Sequence, residues 1–196
     1  MAQAALTPWT YAEFFAWQER QEERYELVAG IPVRMMAGAS NRHDRIVLNL
    51  LLALRNRLRG GRFTPFTGAG AVETKRDHIR RPDAGVDCGM RDPDGYLAVD
   101  PKLVVEVLSP STRDFDTFEK LAEYKAMPSL ARIVHVEPNR AEIVLWSRDQ
   151  GGGDWRMSRI EDLGAAVELP ELGLVLPLAE IYDGIDLPPP VPIRRL

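Results

Sequence analysis

The fold is decided by one stretch, Leu103-Val104-Val105-Glu106-Val107-Leu108, in which a single carboxylate interrupts five aliphatic residues. A short run so rich in valine and leucine predicts a central β-strand that is buried on both faces. The following Ser109-Pro110-Ser111-Thr112 ends the strand. An ionised carboxylate in such a strand is costly to bury, and it persists when a metal, a cation or hydrogen-bond donors pair with it.

Short elements of both kinds surround this strand. Thr10 and Glu13 form a capping-box pattern that predicts a helix over residues 10–22, and the apolar pieces flanking Ala29-Gly30 predict a β-hairpin. Apolar residues at helical spacing predict a second helix over residues 41–59. Further elements are predicted as strands near residues 62–66, 70–74, 83–88, 132–136, 142–147 and 155–160, and as a helix over residues 116–127. This order indicates an α/β (α+β) fold, with a mixed β-sheet flanked by helices and an N-terminal helix and hairpin.

The composition is typical of one globular domain. With 196 residues, the chain suits a single domain over residues 1–187, followed by a proline-rich tail at residues 188–196. The one cysteine, Cys88, excludes an intramolecular disulfide and fits a reducing compartment. The N-terminus lacks the pattern of a signal peptide, and no stretch approaches the roughly 18 apolar residues of a membrane span. We therefore expect a cytoplasmic protein without a membrane partner.

The charge is unevenly distributed along the chain. A net charge of −4 and a pI of about 5.5 argue against a protein that coats nucleic acid non-specifically. The basic residues nevertheless cluster at Arg42, Arg45, Arg55, Arg57, Arg59 and Arg62, and again at Lys75, Arg76, Arg80 and Arg81. This cluster is either a phosphate-contacting face or a solvated helix face with a polar loop, and charge alone does not decide between them.

Two acids lie where predicted strands begin or end. Asp83 follows Pro82 at the start of one strand, and Glu106 lies near the end of another. If the strand ends meet, the two carboxylates and the main-chain carbonyl of Val107 form a set of oxygen ligands that suits Mg²⁺ or Mn²⁺. Such an ion supports phosphodiester hydrolysis. The alternative is that each acid is an ordinary strand-end or ion-paired residue.

Three further side chains have two interpretations each. Lys120 is either a catalytic cation or a solvated helix residue. His43 lies on the apolar stripe of its helix, where it either positions a phosphate or a water molecule or is a hydrogen-bonded core histidine. Glu26 either lies near the metal or pairs with an arginine in the hairpin.

Several stretches occur in the order of a known family. They are Tyr25-Glu26-Leu27-Val28-Ala29-Gly30, then His43 before an apolar helix, then Pro82-Asp83, then Val105-Glu106-Val107-Leu108-Ser109-Pro110-Ser111-Thr112, then Glu119-Lys120-Leu121-Ala122-Glu123-Tyr124. With them the chain resembles the Uma2 family of endonucleases over residues 11–182. The resemblance implies the PD-(D/E)XK, restriction-endonuclease-like fold.

The resemblance also implies a role for each matching residue. Asp83 corresponds to the metal-binding acid of the Pro-Asp motif, and Glu106 corresponds to the acid of the (D/E)XK motif. Leu108 stands where that motif has its lysine, and the lysine of this family lies instead on the following helix, at Lys120. His43 and Glu26 are then residues that support the metal site without binding the ion.

The leading hypothesis is an Mg²⁺- or Mn²⁺-dependent endonuclease that hydrolyses phosphodiester bonds in DNA, with DNA favoured over RNA. The alternative is a non-catalytic module that binds nucleic acid or protein and retains the nuclease fold, since a fold does not establish an activity. The oligomeric state stays open, and a homodimer is one of the alternatives.

Overall fold

The protein is described here by a computed structural model, which covers residues 7–35, 39–109, 115–149 and 152–187. The predicted tail at residues 188–196 lies outside these ranges, and the side chain of Asp116, at the start of the predicted helix over residues 116–127, is not among the described side chains. Within the described residues the helices are α1 (Tyr11–Gln18), α2 (Asn41–Arg57), α3 (Leu121–Ala126) and α4 (Leu178–Ile181). A π-helix (Phe115–Lys120) leads directly into α3, and a 3₁₀ turn (Pro170–Leu172) precedes the last strand.

The strands are short, and most are joined by tight turns. In chain order they are β1 (Tyr25–Val28), β2 (Ile31–Arg34), β3 (Thr64–Thr67), β4 (Val72–Lys75), β5 (His78–Arg80), β6 (Ala84–Asp87), β7 (Pro101–Val107), β8 (Arg132–Glu137), β9 (Glu142–Ser147), β10 (Arg156–Ile160), β11 (Ala166–Leu169) and β12 (Leu174–Pro177). They form a six-stranded sheet in the order β10-β9-β8-β7-β6-β3, a four-stranded sheet in the order β2-β1-β5-β4, and the pair β11-β12. The fold is therefore the mixed α+β class that the sequence predicts.

Strand β7 lies inside the large sheet, as its apolar sequence predicts. It pairs antiparallel with β6 and parallel with β8. The parallel pairing requires a crossover, which the π-helix and α3 provide. Alternate residues of β7 face opposite layers, because strand side chains have a period of two. Leu103, Val105 and Val107 pack in the cluster that contains α2, whereas Val104 packs in the cluster that contains α3.

The helix starts agree with the sequence patterns. Thr10 and Glu13 form the complete capping box at α1, and the Ser40 side chain accepts a hydrogen bond from the amide of His43 at the start of α2. Three strands were missed, namely β5, β11 and β12. Strand β5 is only three residues long and is polar at both ends, yet it joins β1 to β4 at the centre of the smaller sheet.

Candidate active site

The side chain of Asp83 ends the pairing between β6 and β7. The register Ala84↔Val105 brings Asp83, the residue before β6, level with Glu106 on β7, and the amide of Val107 donates a hydrogen bond of 2.7 Å to Oδ2 of Asp83. The carboxylate thus accepts a hydrogen bond from a main-chain amide of β7 that lies beyond the end of β6. This hydrogen bond holds the carboxylate of Asp83 beside Val107, the residue that follows Glu106.

His43 approaches the same point from α2. Its Nε2 lies 3.3 Å from Oδ2 of Asp83. Burial alone would lower the pKa of His43, but the hydrogen bond and charge of Asp83, together with the main-chain oxygen of Val107, outweigh it and raise the pKa. Asp83 and the Val107 carbonyl are both oxygen acceptors within reach of this one side chain.

Glu106 turns toward the opposite layer, where α3 begins. Its side chain is almost entirely buried, with 3% of the residue surface exposed. The hydroxyl of Tyr124 donates a hydrogen bond of 2.8 Å to Oε1 of Glu106, and Nζ of Lys120 lies 3.4 Å from the same oxygen. The interpretation of Lys120 as a solvated helix residue is wrong, because only 6% of this residue is exposed.

Lys120 contacts a second carboxylate, which belongs to Glu26 on β1. Oε1 of Glu26 lies 3.2 Å from Nζ of Lys120 and also accepts a hydrogen bond from the amide of Arg81. Oε2 of Glu26 accepts a hydrogen bond of 3.1 Å from the guanidinium of Arg80. The interpretation of Glu26 as an arginine-paired residue is correct in part. Glu26 does pair with an arginine, which lies on β5 rather than in the hairpin, and the pair holds the candidate catalytic lysine.

Arg80 extends this cluster to α3. Its guanidinium, which has no exposed surface, makes a bidentate contact with Glu123 at 2.8 and 2.7 Å. Burial would raise the pKa of Glu123, but the hydrogen bonds from Arg80 and Thr74 lower it below its usual value. Burial lowers the pKa of Arg80 by itself, and the two carboxylates overcome that effect and raise it. Glu123 and Arg80 therefore remain a charged pair.

Two neighbours of Glu106 remain uncharged at neutral pH. Burial, and then the negative charge of Glu106, raise the pKa of Tyr124 well above its usual value. His135 pairs with Glu106 across β7 and β8. Burial, followed by the positive charges of Lys125 and Lys120, lowers the pKa of His135 to about 4. Nε2 of His135 is buried without a hydrogen-bond partner among the described residues.

The predicted site residues therefore form two groups. The members of each group contact one another, and the groups meet at the peptide bond between residues 106 and 107. Asp83 and His43 form the group on the α2 side, and it is the more open one, since 28% of the Asp83 side chain is exposed. Glu106, Lys120 and Glu26 form the group on the α3 side. Leu108, which occupies the usual lysine position, donates its amide to Val136 and contributes no charge.

Three groups at this point have the chemistry that a hard divalent ion prefers. The Asp83 and Glu106 carboxylates and the Val107 carbonyl are all oxygen donors, which Mg²⁺ and Mn²⁺ prefer. Within the described ranges, no group of three His, Cys, Asp or Glu side chains is placed to hold a metal. An ion at this position would thus depend on the main-chain oxygen and on water, as magnesium sites usually do.

The structure revises the predicted basic face. Arg80 and Arg81 are buried and point into the protein, so they do not belong to a phosphate-contacting surface. Tyr124, Arg80 and Glu123 were not predicted to belong to the site. One available signal was the spacing of four residues between Lys120 and Tyr124, which places both on one side of a helix.

The architecture matches that of a solved protein. A structure described as a "putative nuclease belonging to DUF820" from Anabaena variabilis superposes with a TM-score of 0.68. The match covers 89% of this chain and 98% of the other, at 17% sequence identity. The fold is thus the restriction-endonuclease-like nuclease fold. No helix in the described part of the chain is long and apolar enough to cross a membrane.

The sequence comparisons identify the family. The profile of the Uma2 family, described as "Putative restriction endonuclease", matches residues 11–179. The chain belongs to the Uma2 family. It is similar to two proteins of Synechocystis sp., the uncharacterized proteins slr1290 and sll1609. The first is 31% identical over 175 residues, covering 88% of this chain and 90% of the relative, and the second is 24% identical, covering 81% and 91%.

Proposed function

We propose that this protein is an Mg²⁺- or Mn²⁺-dependent endonuclease that hydrolyses phosphodiester bonds in DNA. The observation that carries the proposal is the hydrogen bond from the Val107 amide to Asp83, because it attaches one acid to the residue beside the second acid. The description of the Uma2 family and that of the Anabaena structure support the reaction class. The oligomeric state, with a homodimer as one alternative, is to be measured by light scattering.

Asp83, Glu106 and the Val107 carbonyl would hold the divalent ion. Such an ion, when bound, polarises a phosphate oxygen and lowers the pKa of an attacking water. The ammonium of Lys120 offsets the negative charge that develops on the phosphate. Glu26 and Glu106 fix the position of that ammonium. His43, beside the partly exposed Asp83, orients the phosphate or the water from the open side of the site.

The test compares two ligand variants with a matched acid. Asp83→Asn and Glu106→Gln should lower Mn²⁺-dependent cleavage of supercoiled plasmid by about 100-fold or more, since a missing ligand disrupts both ion binding and orientation. Asp87→Asn is the control. Asp87 lies at the other end of β6, is fully buried and accepts hydrogen bonds from the amides of Val99 and Asp100.

The control should retain the wild-type rate per folded molecule, with folding checked by circular dichroism. Calorimetric titration with Mn²⁺ in the absence of DNA should show binding that depends on both acids. Equal cleavage by the wild type and both ligand variants would assign the activity to a contaminant and refute the proposal.

One observation favours a second candidate, a nucleic-acid-binding module without catalysis. Lys120 is already held between two carboxylates, and such an arrangement also suits a purely structural network of ion pairs. This candidate predicts DNA retardation on a gel with no Mn²⁺ binding and no cleavage. The calorimetric titration therefore separates the two functions.

A further inference from the structure

Tyr124 is an uncharged residue that contacts Glu106, the acid proposed to bind the ion. It lies on α3, four residues after Lys120, and its ring is completely buried among the residues that pack beneath β7. Its hydroxyl donates to Oε1 of Glu106 at 2.8 Å. Lys120 approaches the same oxygen, so both α3-side contacts converge on one end of the carboxylate.

The two contacts have different physical consequences. Lys120 brings a positive charge, which competes with a metal cation for the carboxylate. A phenol donates a hydrogen bond to the carboxylate and brings no positive charge of its own. A fixed donor on one carboxylate oxygen also limits rotation of the group, and outer donors of this kind orient metal-binding side chains.

We propose that Tyr124 is a positioning residue, which holds the Glu106 carboxylate in the orientation needed to bind a divalent cation. The inference rests on the proposed function. It assigns no contact between Tyr124 and the substrate, and it predicts that the hydroxyl, rather than the ring, sets the affinity for the ion.

The simpler role for Tyr124 is packing, and a second buried tyrosine supplies a matched control. Tyr182 is also buried, and its hydroxyl donates to the main-chain oxygens of Glu137 and Glu142, in the cluster on the opposite face of the sheet. Tyr182→Phe therefore removes a buried hydroxyl that touches none of the proposed ligands. Tyr124→Phe removes one that does.

The experiment measures Mn²⁺ binding by calorimetry on the full chain without DNA, alongside urea unfolding of each variant. Tyr124→Phe should weaken Mn²⁺ binding by about 10-fold or more, as losses of outer donors usually do. Its cleavage rate should recover substantially when Mn²⁺ is raised. Tyr182→Phe should bind Mn²⁺ like the wild type, even if its urea unfolding midpoint falls as far as that of Tyr124→Phe.

Three results would overturn the inference in distinguishable ways. If the wild type binds Mn²⁺ and Tyr124→Phe binds it equally well, the positioning role is wrong while the proposed function stands. If both tyrosine variants lose affinity together, the effect is one of general packing. A wild type that binds no Mn²⁺, tested beside Asp83→Asn, refutes the proposed function itself.

Discussion

The guanidinium of Arg80 donates to the carboxylate of Glu26 at 3.1 Å, and Glu26 in turn contacts Lys120 at 3.2 Å. A strand pair in the smaller sheet thus determines where the candidate catalytic lysine lies. Because Arg80 also forms an ion pair with Glu123 on α3, one buried cation joins the smaller sheet to the crossover helix. This arrangement makes the position of Lys120 depend on residues that are far away in the sequence.

The first prediction concerns the stability of this cluster. Arg80→Met leaves the carboxylates of Glu26 and Glu123 without their guanidinium, and removing one partner of a buried ion pair costs about 3–5 kcal/mol. Arg57→Met is the matched control, because Arg57 pairs at 2.7 Å with the exposed Glu180. A surface pair of this kind contributes at most about 1 kcal/mol.

Urea unfolding at pH 7 measures both losses. The Arg80 variant should show the larger decrease in the free energy of unfolding by at least about 2 kcal/mol, the gap between the two ranges above. Equal small losses in the two variants would mean that the remaining contacts, from Lys120 to Glu26 and from Thr74 to Glu123, are enough to hold the two carboxylates.

The sequence predicts those parts of the fold that depend on local pattern. The apolar run around Glu106 indicates a buried central strand, and the residues near Thr10 and Ser40 indicate where helices begin. Each of these signals lies within a few residues of the element that it predicts, because strand alternation and helix capping act over that distance.

The charged cluster was not predictable in the same way. Glu26, Arg80 and Glu123 are brought together by the pairing of β1 with β5 and by the packing of α3, and no spacing in the sequence reports that pairing. For the same reason both interpretations of the basic residues placed Arg80 at the surface, although it is wholly buried. A run of arginines indicates charge but does not indicate which of them has a buried carboxylate for a partner.

The second prediction tests the link between Glu26 and Lys120. Glu26→Gln keeps an oxygen that can accept from the amide of Arg81, but it removes the negative charge that holds Lys120. Cleavage should fall by about 100-fold, because small displacements of a catalytic group are this costly. Mn²⁺ affinity should stay at the wild-type value, since Glu26 is not a proposed ligand.

Glu142→Gln serves as the control for this change. Glu142 is a buried acid on β9 that pairs with Arg140 and Arg159, neither of which belongs to the proposed site. Its variant should cleave DNA at the wild-type rate per folded molecule. Wild-type cleavage by Glu26→Gln, at a concentration where Lys120→Met is inactive, would show that Glu26 has no part in placing the lysine.

The third prediction concerns His43 as a reporter on Asp83. The carboxylate of Asp83 raises the pKa of His43, so Asp83→Asn should lower that pKa. Saturating Mg²⁺ should lower it in the wild type, because a second cation beside the imidazole disfavours its protonated form. Proton NMR of the imidazole measures both shifts, and His43→Gln assigns the resonance. A titration that Mg²⁺ leaves unchanged would place the ion away from Asp83.

The fourth prediction concerns acid stability and arises from His135. Burial lowers its pKa to about 4 in the folded state, whereas an unfolded histidine titrates near its ordinary value of 6.5. Between these two values the unfolded chain binds more protons than the folded protein, so this residue's contribution to stability falls as the pH decreases. From pH 7 to pH 5 the loss due to His135 should be about 2 kcal/mol, since one pKa unit corresponds to about 1.4 kcal/mol.

His135→Leu isolates this contribution, because leucine fills a similar volume and has no proton to bind. Urea unfolding of the variant should therefore change less between pH 7 and pH 5 than that of the wild type, by about the same 2 kcal/mol. The carboxylates and His43 titrate in both proteins, so their effects cancel in the comparison. If the two proteins lost equal stability over this range, His135 would have to be protonated in the folded state. Its Nε2 would then need an acceptor, and Glu106 on the neighbouring strand is the nearest candidate by register.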